Sequence, residues 1–165
     1  MSISPVQAVV IAAATTAALI DLRTRRVPNV LTLSVAVVGL ALAMTGTSRI
    51  GLAASAAGCL LGFALMLPGF LIGATGGGDV KLLAAIGTLL GPSATLRAFV
   101  ATAIAGGLIA IFIALRRGGF MSMLAGTGAL VMSGGSSIAE LRDAHDHRFA
   151  YAPAIAIGAI VAALV

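Results

Sequence analysis

The chain has 165 residues, 60% hydrophobic and only 9% charged, with a mean hydropathy of +1.15, whereas soluble domains carry roughly 25% charged residues. That excludes an ordinary water-soluble domain and implies an all-α, polytopic integral membrane protein, since only helices or closed barrels satisfy every backbone group in lipid. The net charge of +5 does not point to nucleic acid, because the ten basic residues stand at the ends of apolar runs, where they orient a membrane protein.

The first apolar run covers residues 3–20 and is long enough to cross as a helix. A cleaved signal peptide would carry its basic residues ahead of the run; here Arg23, Arg25 and Arg26 follow it, which favours a retained helix with its amino terminus outside. A basic turn closed by Pro28 leads into a second span over residues 28–44, the proline being suited to a helix's first turn. The third span, 50–72, repeats Ala54, Gly58 and Gly62 at four-residue spacing, a stripe that lets helices approach closely in lipid. Pro68-Gly69 is expected to kink or loosen its last turn.

The stretch Gly73-Ala74-Thr75-Gly76-Gly77-Gly78-Asp79-Val80-Lys81-Leu82 follows. The apolar run after it reaches Leu90 before Gly91-Pro92, short for a crossing of about 30 Å. The fourth span, written 80–96, therefore ends either at Leu90 or, kinked at Pro92, at Leu96. The chain is expected to turn near Arg97 and cross back over 99–115. Residues 116–148 read as a cytoplasmic loop, in which the apolar but glycine-broken segment 120–132 is interfacial and 133–148 is polar; 149–165 is the last span.

This gives one membrane-embedded domain of six spans, with both termini outside. Eight basic residues (Arg23, Arg25, Arg26, Lys81, Arg116, Arg117, Arg142, Arg148) then lie on the cytoplasmic side and two (Arg49, Arg97) outside, as the positive-inside rule requires. The same topology sets Asp21 and Asp79 at one membrane level, the cytoplasmic one. Acids are scarce here: there are five, three of them (Glu140, Asp143, Asp146) in one late polar segment. An ionisable group at membrane depth is costly and points to function.

Two carboxylates brought close share a proton, so one serves as base and the other as acid. The base can deprotonate a water attacking a peptide carbonyl while the acid steadies the oxyanion, which is aspartic proteolysis. Three glycines before Asp79 allow unusual dihedrals and close approach of an extended substrate. The bland alternative is that Asp21 caps or pairs with neighbouring arginines while Asp79 caps the fourth helix.

Gly76-Gly77-Gly78-Asp79 fits the pattern G-x-G-D, and with Val80-Lys81-Leu82 it resembles the signature of the prepilin peptidases. Asp21-x-Arg23 with Val27-Pro28-Asn29 resembles that family's first aspartate motif, and Tyr151 to Gly158 its terminal helix. The resemblance implies Asp21 and Asp79 as the catalytic pair, Gly76 and Gly78 as motif glycines, and no cofactor or metal. It implies cleavage of type IV pilin-like precursors at the cytoplasmic face of the inner (plasma) membrane, after a short basic leader ending in glycine. Longer members carry an amino-terminal domain with paired cysteines that methylates the new amino terminus; this sequence, with Cys59 alone, looks like the short, peptidase-only type serving tight-adherence (Flp) pili. No methyltransferase activity is expected.

Other features are read more plainly. Lys81 suits an interface anchor as well as a site role. The segment Glu140 to His147 matches no strong zinc spacing, and Met121, Met123 and Met132 are interfacial filling. The expected partners are prepilin-like precursors and the lipid bilayer. The rival from another class is a small channel, transporter subunit or assembly scaffold whose acids bind a cation or relay protons.

Overall fold

The computed structural model describes residues 3–73, 75–116 and 151–165. Among them the protein is all-α: α1 (Pro5–Thr24), α2 (Asn29–Met44), α3 (Leu52–Leu71), α4 (Gly77–Arg116) and α5 (Ala152–Leu164). The expected loop beyond residue 116, with its interfacial segment 120–132 and the acid and histidine cluster 140–147, lies outside the described residues. Three helices, α1, α3 and α4, are long and apolar enough to cross a membrane; α2 and α5 are apolar but shorter.

Helix α1 opens on a capping box: Gln7 N–H donates to Ser4 Oγ at 3.2 Å and Ser4 N–H to Gln7 Oε1 at 2.9 Å. This satisfies two of the N–H groups that a helix start leaves open. It closes at Arg25, whose φ of 52° is left-handed. The helix runs a turn past the end of its apolar stretch, so Asp21 sits inside it rather than after it. Counting apolar residues locates the lipid-compatible part of a helix, and the polar turn Asp21 to Thr24 extends it. Pro28 caps α2, and α3 continues past Pro68 to Leu71.

Helix α4 is folded back on itself. Its one non-helical residue is Gly91, with φ 72° and ψ 175°, a backbone state that suits glycine alone. The first arm, 77–90, runs antiparallel to α3. Cβ atoms on Gly62 would meet the Leu83 carbonyl at 2.7 Å and on Gly58 would meet Gly91 Cα at 2.9 Å. The second arm, 92–116, then returns: Phe99 and Ala103 face Ala64, Pro68 and Thr75. The turn expected near Arg97 is therefore at Gly91, the earlier of the two ends considered. Pro92, by contrast, sits at the start of the second arm, where its missing N–H costs no hydrogen bond.

The first arm is the central rod. Leu82, Leu83 and Ile86 are wholly buried, with Val80, Ala85 and Leu89 nearly so, the mark of a helix enclosed on all sides. Lipid gives helices no hydrophobic reason to associate, so close backbones and hydroxyls do the joining. Gly58 and Gly87 bring α3 and the first arm into backbone contact, and Gly39 of α2 packs on Thr88. Ser55 Oγ donates to the Thr88 carbonyl at 2.7 Å. The small-residue stripe read from the sequence is this seam.

Helix α5 completes the bundle by lying antiparallel to α1. Gln7 Nε2 donates to the Ala163 carbonyl at 2.8 Å at one end, and Ala152 N–H donates to Asp21 Oδ2 at 3.2 Å at the other. On its other side Gly158 packs against Ala98 and Thr102 of the second arm.

Candidate active site

At the end of the bundle opposite Gly91 three elements converge: the last turn of α1, the first turn of α4 and the start of α5. Asp21 is 5% exposed and Asp79 is 7% exposed, so the two acids anticipated from their scarcity are both buried. They stand close enough for the charge on Asp21 to act on Asp79. Each accepts a main-chain hydrogen bond at Oδ2, Asp21 from Ala152 N–H at 3.2 Å and Asp79 from Gly76 N–H at 3.0 Å.

The local sequence explains the placement of Asp79. Gly76 immediately precedes α4, and Asp79, three residues on, reaches back to its N–H, the return half of a capping box. The main-chain bonds Asp79 N–H to Gly76 O at 3.0 Å and Val80 N–H to Gly76 O at 3.3 Å complete the turn. The capping role weighed for Asp79 is therefore real. Asp21 turns to α5, not to the neighbouring arginines, and the Ala152 amide it accepts from belongs to a helix start, where N–H groups favour an anion.

Of the three glycines before Asp79, the two motif glycines, Gly76 and Gly78, are the tightly placed ones. A Cβ on Gly76 would come within 3.1 Å of Asp79 Oδ2, and one on Gly78 within 3.1 Å of the Val27 side chain. At Gly77 the nearest atom would be Phe70 Cε2 at 3.4 Å, an ordinary contact. The spacing G-x-G-D thus matches the steric pattern of the loop. Gly78 also brings in the segment after α1, since its neighbour Val27 begins the Val27-Pro28-Asn29 stretch. Lys81 lies outside the acid pair: it is exposed, and its Nζ donates to Asn29 Oδ1 at 3.0 Å, tying α4 to the start of α2.

One residue was given no role by the sequence reading. Tyr151, the chain's single tyrosine, precedes α5, feels the charge of Asp79 and lays its ring on Gly106. Its position beside Ala152 in the terminal-helix resemblance was the available signal. Among the described residues no group of three or more His, Cys, Asp or Glu is placed to hold a metal ion.

A family model described as the type IV leader peptidase family matches residues 8–111, a segment that contains Asp21, the whole glycine loop, Asp79 and Lys81. Searches of curated proteins and of solved structures found no match. The family match covers more than half of the chain, and the chain belongs to the type IV leader peptidase family, the aspartic prepilin peptidases.

Proposed function

We propose that the protein is a membrane aspartic endopeptidase that removes the short basic leader from Flp-type prepilins at the cytoplasmic membrane face, with Asp21 and Asp79 as its catalytic pair. Family membership implies prepilin peptidase activity. The observation that carries the assignment to these two residues is their convergence: they come from α1 and α4, both are buried, and each is held by one main-chain N–H.

With one proton shared between the carboxylates, the ionised member takes a proton from a water as its oxygen attacks the scissile carbonyl carbon. The protonated member donates a hydrogen bond to the oxygen that becomes negative. When the carbon–nitrogen bond breaks, the departing amine takes up a proton from the carboxyl group that received it from water. The main-chain donors fix the two Oδ2 atoms, leaving Oδ1 of each to the water and the substrate.

All helices cross the membrane in this reading, the two arms of α4 separately, giving six spans with the acids at the inner level. The short rods α2, α5 and the first arm, roughly 20–24 Å at 1.5 Å per residue, leave the acid end of the bundle close to the interface, where a water can enter. Support for the orientation is the sequence of Lys and Arg: Arg23, Arg25, Arg26 and Lys81 stand at the acid end, Arg49 between α2 and α3 at the other.

The test is leader removal from a co-expressed Flp-type precursor. Asp21→Asn and Asp79→Asn should each lower the rate by at least about 10²-fold, the scale of acid–base catalysis, with insertion unchanged. Full processing by either variant, or a proteolytically silent wild type that conducts ions, contradicts the reading.

A further inference from the structure

Tyr151 brings the chain's single phenol to the end of the bundle that holds the acids, and its main chain is fixed there twice. Its carbonyl accepts from the N–H groups of Ala154 at 3.0 Å and Ile155 at 3.2 Å, which starts α5. The next N–H along, that of Ala152, is the one bonded to Asp21. The ring is fixed as well. It lies on Gly106 of the second arm of α4, so close that a Cβ there would come within 2.8 Å of Cε2 and 2.9 Å of the hydroxyl oxygen. Only glycine leaves room for the ring in that position.

The hydroxyl itself has no use in the fold. It makes no hydrogen bond among the described residues, although the residue is half-buried and tyrosines so placed usually give their O–H a partner. Thr75 and Thr102 also carry hydroxyls without partners, but theirs are sealed within the protein. Tyr151 instead forms part of the wall of a cavity of about 570 Å³ between α3 and the second arm of α4, with Pro68, Phe99 and Thr75 among its other linings. Thr75 is the neighbour of Gly76, whose N–H holds Asp79, so the cavity reaches the acids where Thr75 and Tyr151 line it. There Tyr151 feels the charge of Asp79, yet no hydrogen bond joins the two. A phenol and a carboxylate within electrostatic reach but unbonded leave room for a substrate group between them.

We propose that Tyr151 is a third catalytic residue, whose phenol donates a hydrogen bond to the oxygen of the scissile carbonyl as water adds to its carbon. The inference rests on the proteolytic reading above. In that step the water oxygen bonds to the carbonyl carbon, its proton passes to the ionised carboxylate, and the π pair of the carbonyl moves onto oxygen. The protonated carboxyl is one donor to that oxygen; the phenol is a second, and it keeps its proton throughout. A phenol ordinarily ionises near pH 10, so at neutral pH it serves as a donor and not as a base. Its contribution comes from being in place beforehand, because a donor already held by the start of α5 and by Gly106 stabilises developing charge without reorganising. If the ring merely packed, phenylalanine would serve as well.

The test uses the purified full chain in detergent and an Flp-type precursor. Tyr151→Phe keeps the ring on Gly106 and removes only the oxygen. It should lower kcat by at least about tenfold, towards the roughly 10²-fold that loss of an oxyanion donor costs. The unfolding midpoint should not change, since the hydroxyl bonds to nothing in the fold, and KM should stay within about threefold, as for an interaction made only in the transition state. A lower midpoint would show that the fold uses the hydroxyl, and a loss in kcat smaller than about tenfold would show packing alone; either overturns the proposal.

A second readout needs no turnover. A precursor peptide with a difluoromethylene ketone in place of the scissile amide hydrates to a gem-diol that mimics the tetrahedral adduct, and a group acting on the adduct binds this mimic more than it binds substrate. Tyr151→Phe should weaken binding of the mimic by at least about tenfold. Added to Asp79→Asn, it should leave the affinity for uncleaved precursor unchanged. Weakening of both ligands alike, or of neither, overturns the assignment. A wild type that cleaves no precursor sinks the proteolytic reading and the role of Tyr151 together. Cleavage lost in Asp79→Asn but kept in Tyr151→Phe sinks the role of Tyr151 alone.

Discussion

The main-chain N–H of Ala152 donates to Oδ2 of Asp21 at 3.2 Å, so the last helix holds the acid carried by the first. Anything that unseats α5 should therefore disturb Asp21 without touching it. Gly158 is the place to do so, because a Cβ there would strike Thr102 and the Ala98 carbonyl of the second arm. Gly158→Ala should cost about 1–3 kcal/mol by overpacking and lower leader removal with it. Gly107, where a Cβ would meet nothing within 4 Å, is the control: Gly107→Ala should be neutral or stabilising by up to about 1 kcal/mol through helix propensity. Thermal unfolding in detergent, run beside the cleavage assay, checks both.

The glycine loop predicts a pattern of tolerance. Gly76→Ala sets a methyl 3.1 Å from Asp79 Oδ2 and Gly78→Ala sets one 3.1 Å from the Val27 side chain, so each shifts the acid or the segment packed on it. A misplacement of about 1 Å at a reacting group costs about 10²-fold, so these smaller shifts should lower activity by less than that but by more than about threefold. Gly77→Ala adds only an ordinary contact with Phe70 and should retain activity within about threefold, since its site lies in a helix start that accepts alanine. Equal loss at all three positions would contradict the steric account. The readout is the rate of leader removal at matched membrane levels.

Much of this was legible in the sequence, for physical reasons that differ from residue to residue. Asp21 and Asp79 stand out because charge is scarce at membrane depth, and the Ala54, Gly58, Gly62 stripe because small residues recur at helical spacing. The partners were not legible: that Gly58 meets Gly87, or that Asp21 meets Ala152, depends on how the rods are arranged. Gly91-Pro92 marked a break, but an apolar count cannot tell a turn from a kink, and the left-handed φ of Gly91 decides it. Likewise the helix α1 outran its apolar stretch because backbone hydrogen bonding, not lipid contact, sets where a helix ends. The Thr75 hydroxyl and the cavity beside it exist only between elements, so no single stretch announces them.

Lys81 offers a separate check on where the chemistry stops. Its bond to Asn29 is exposed, and such hydrogen bonds contribute roughly 0.5–1.5 kcal/mol. Lys81→Met and Asn29→Ala should each lower stability by about that amount, and Lys81→Met should retain most of the cleavage rate. Loss of cleavage in Lys81→Met at unchanged stability would place Lys81 within the reacting machinery. Unfolding midpoints and initial rates on the same preparations decide between these outcomes.

The most direct measurement is a double-mutant cycle on the rate of leader removal, using wild type, Asp21→Asn, Asp79→Asn and the pair together. Residues that act as one unit are not additive, so the double variant should be no slower than either single variant. If the two losses multiply, or if either single variant keeps wild-type turnover, Asp21 and Asp79 do not share one hydrolytic water.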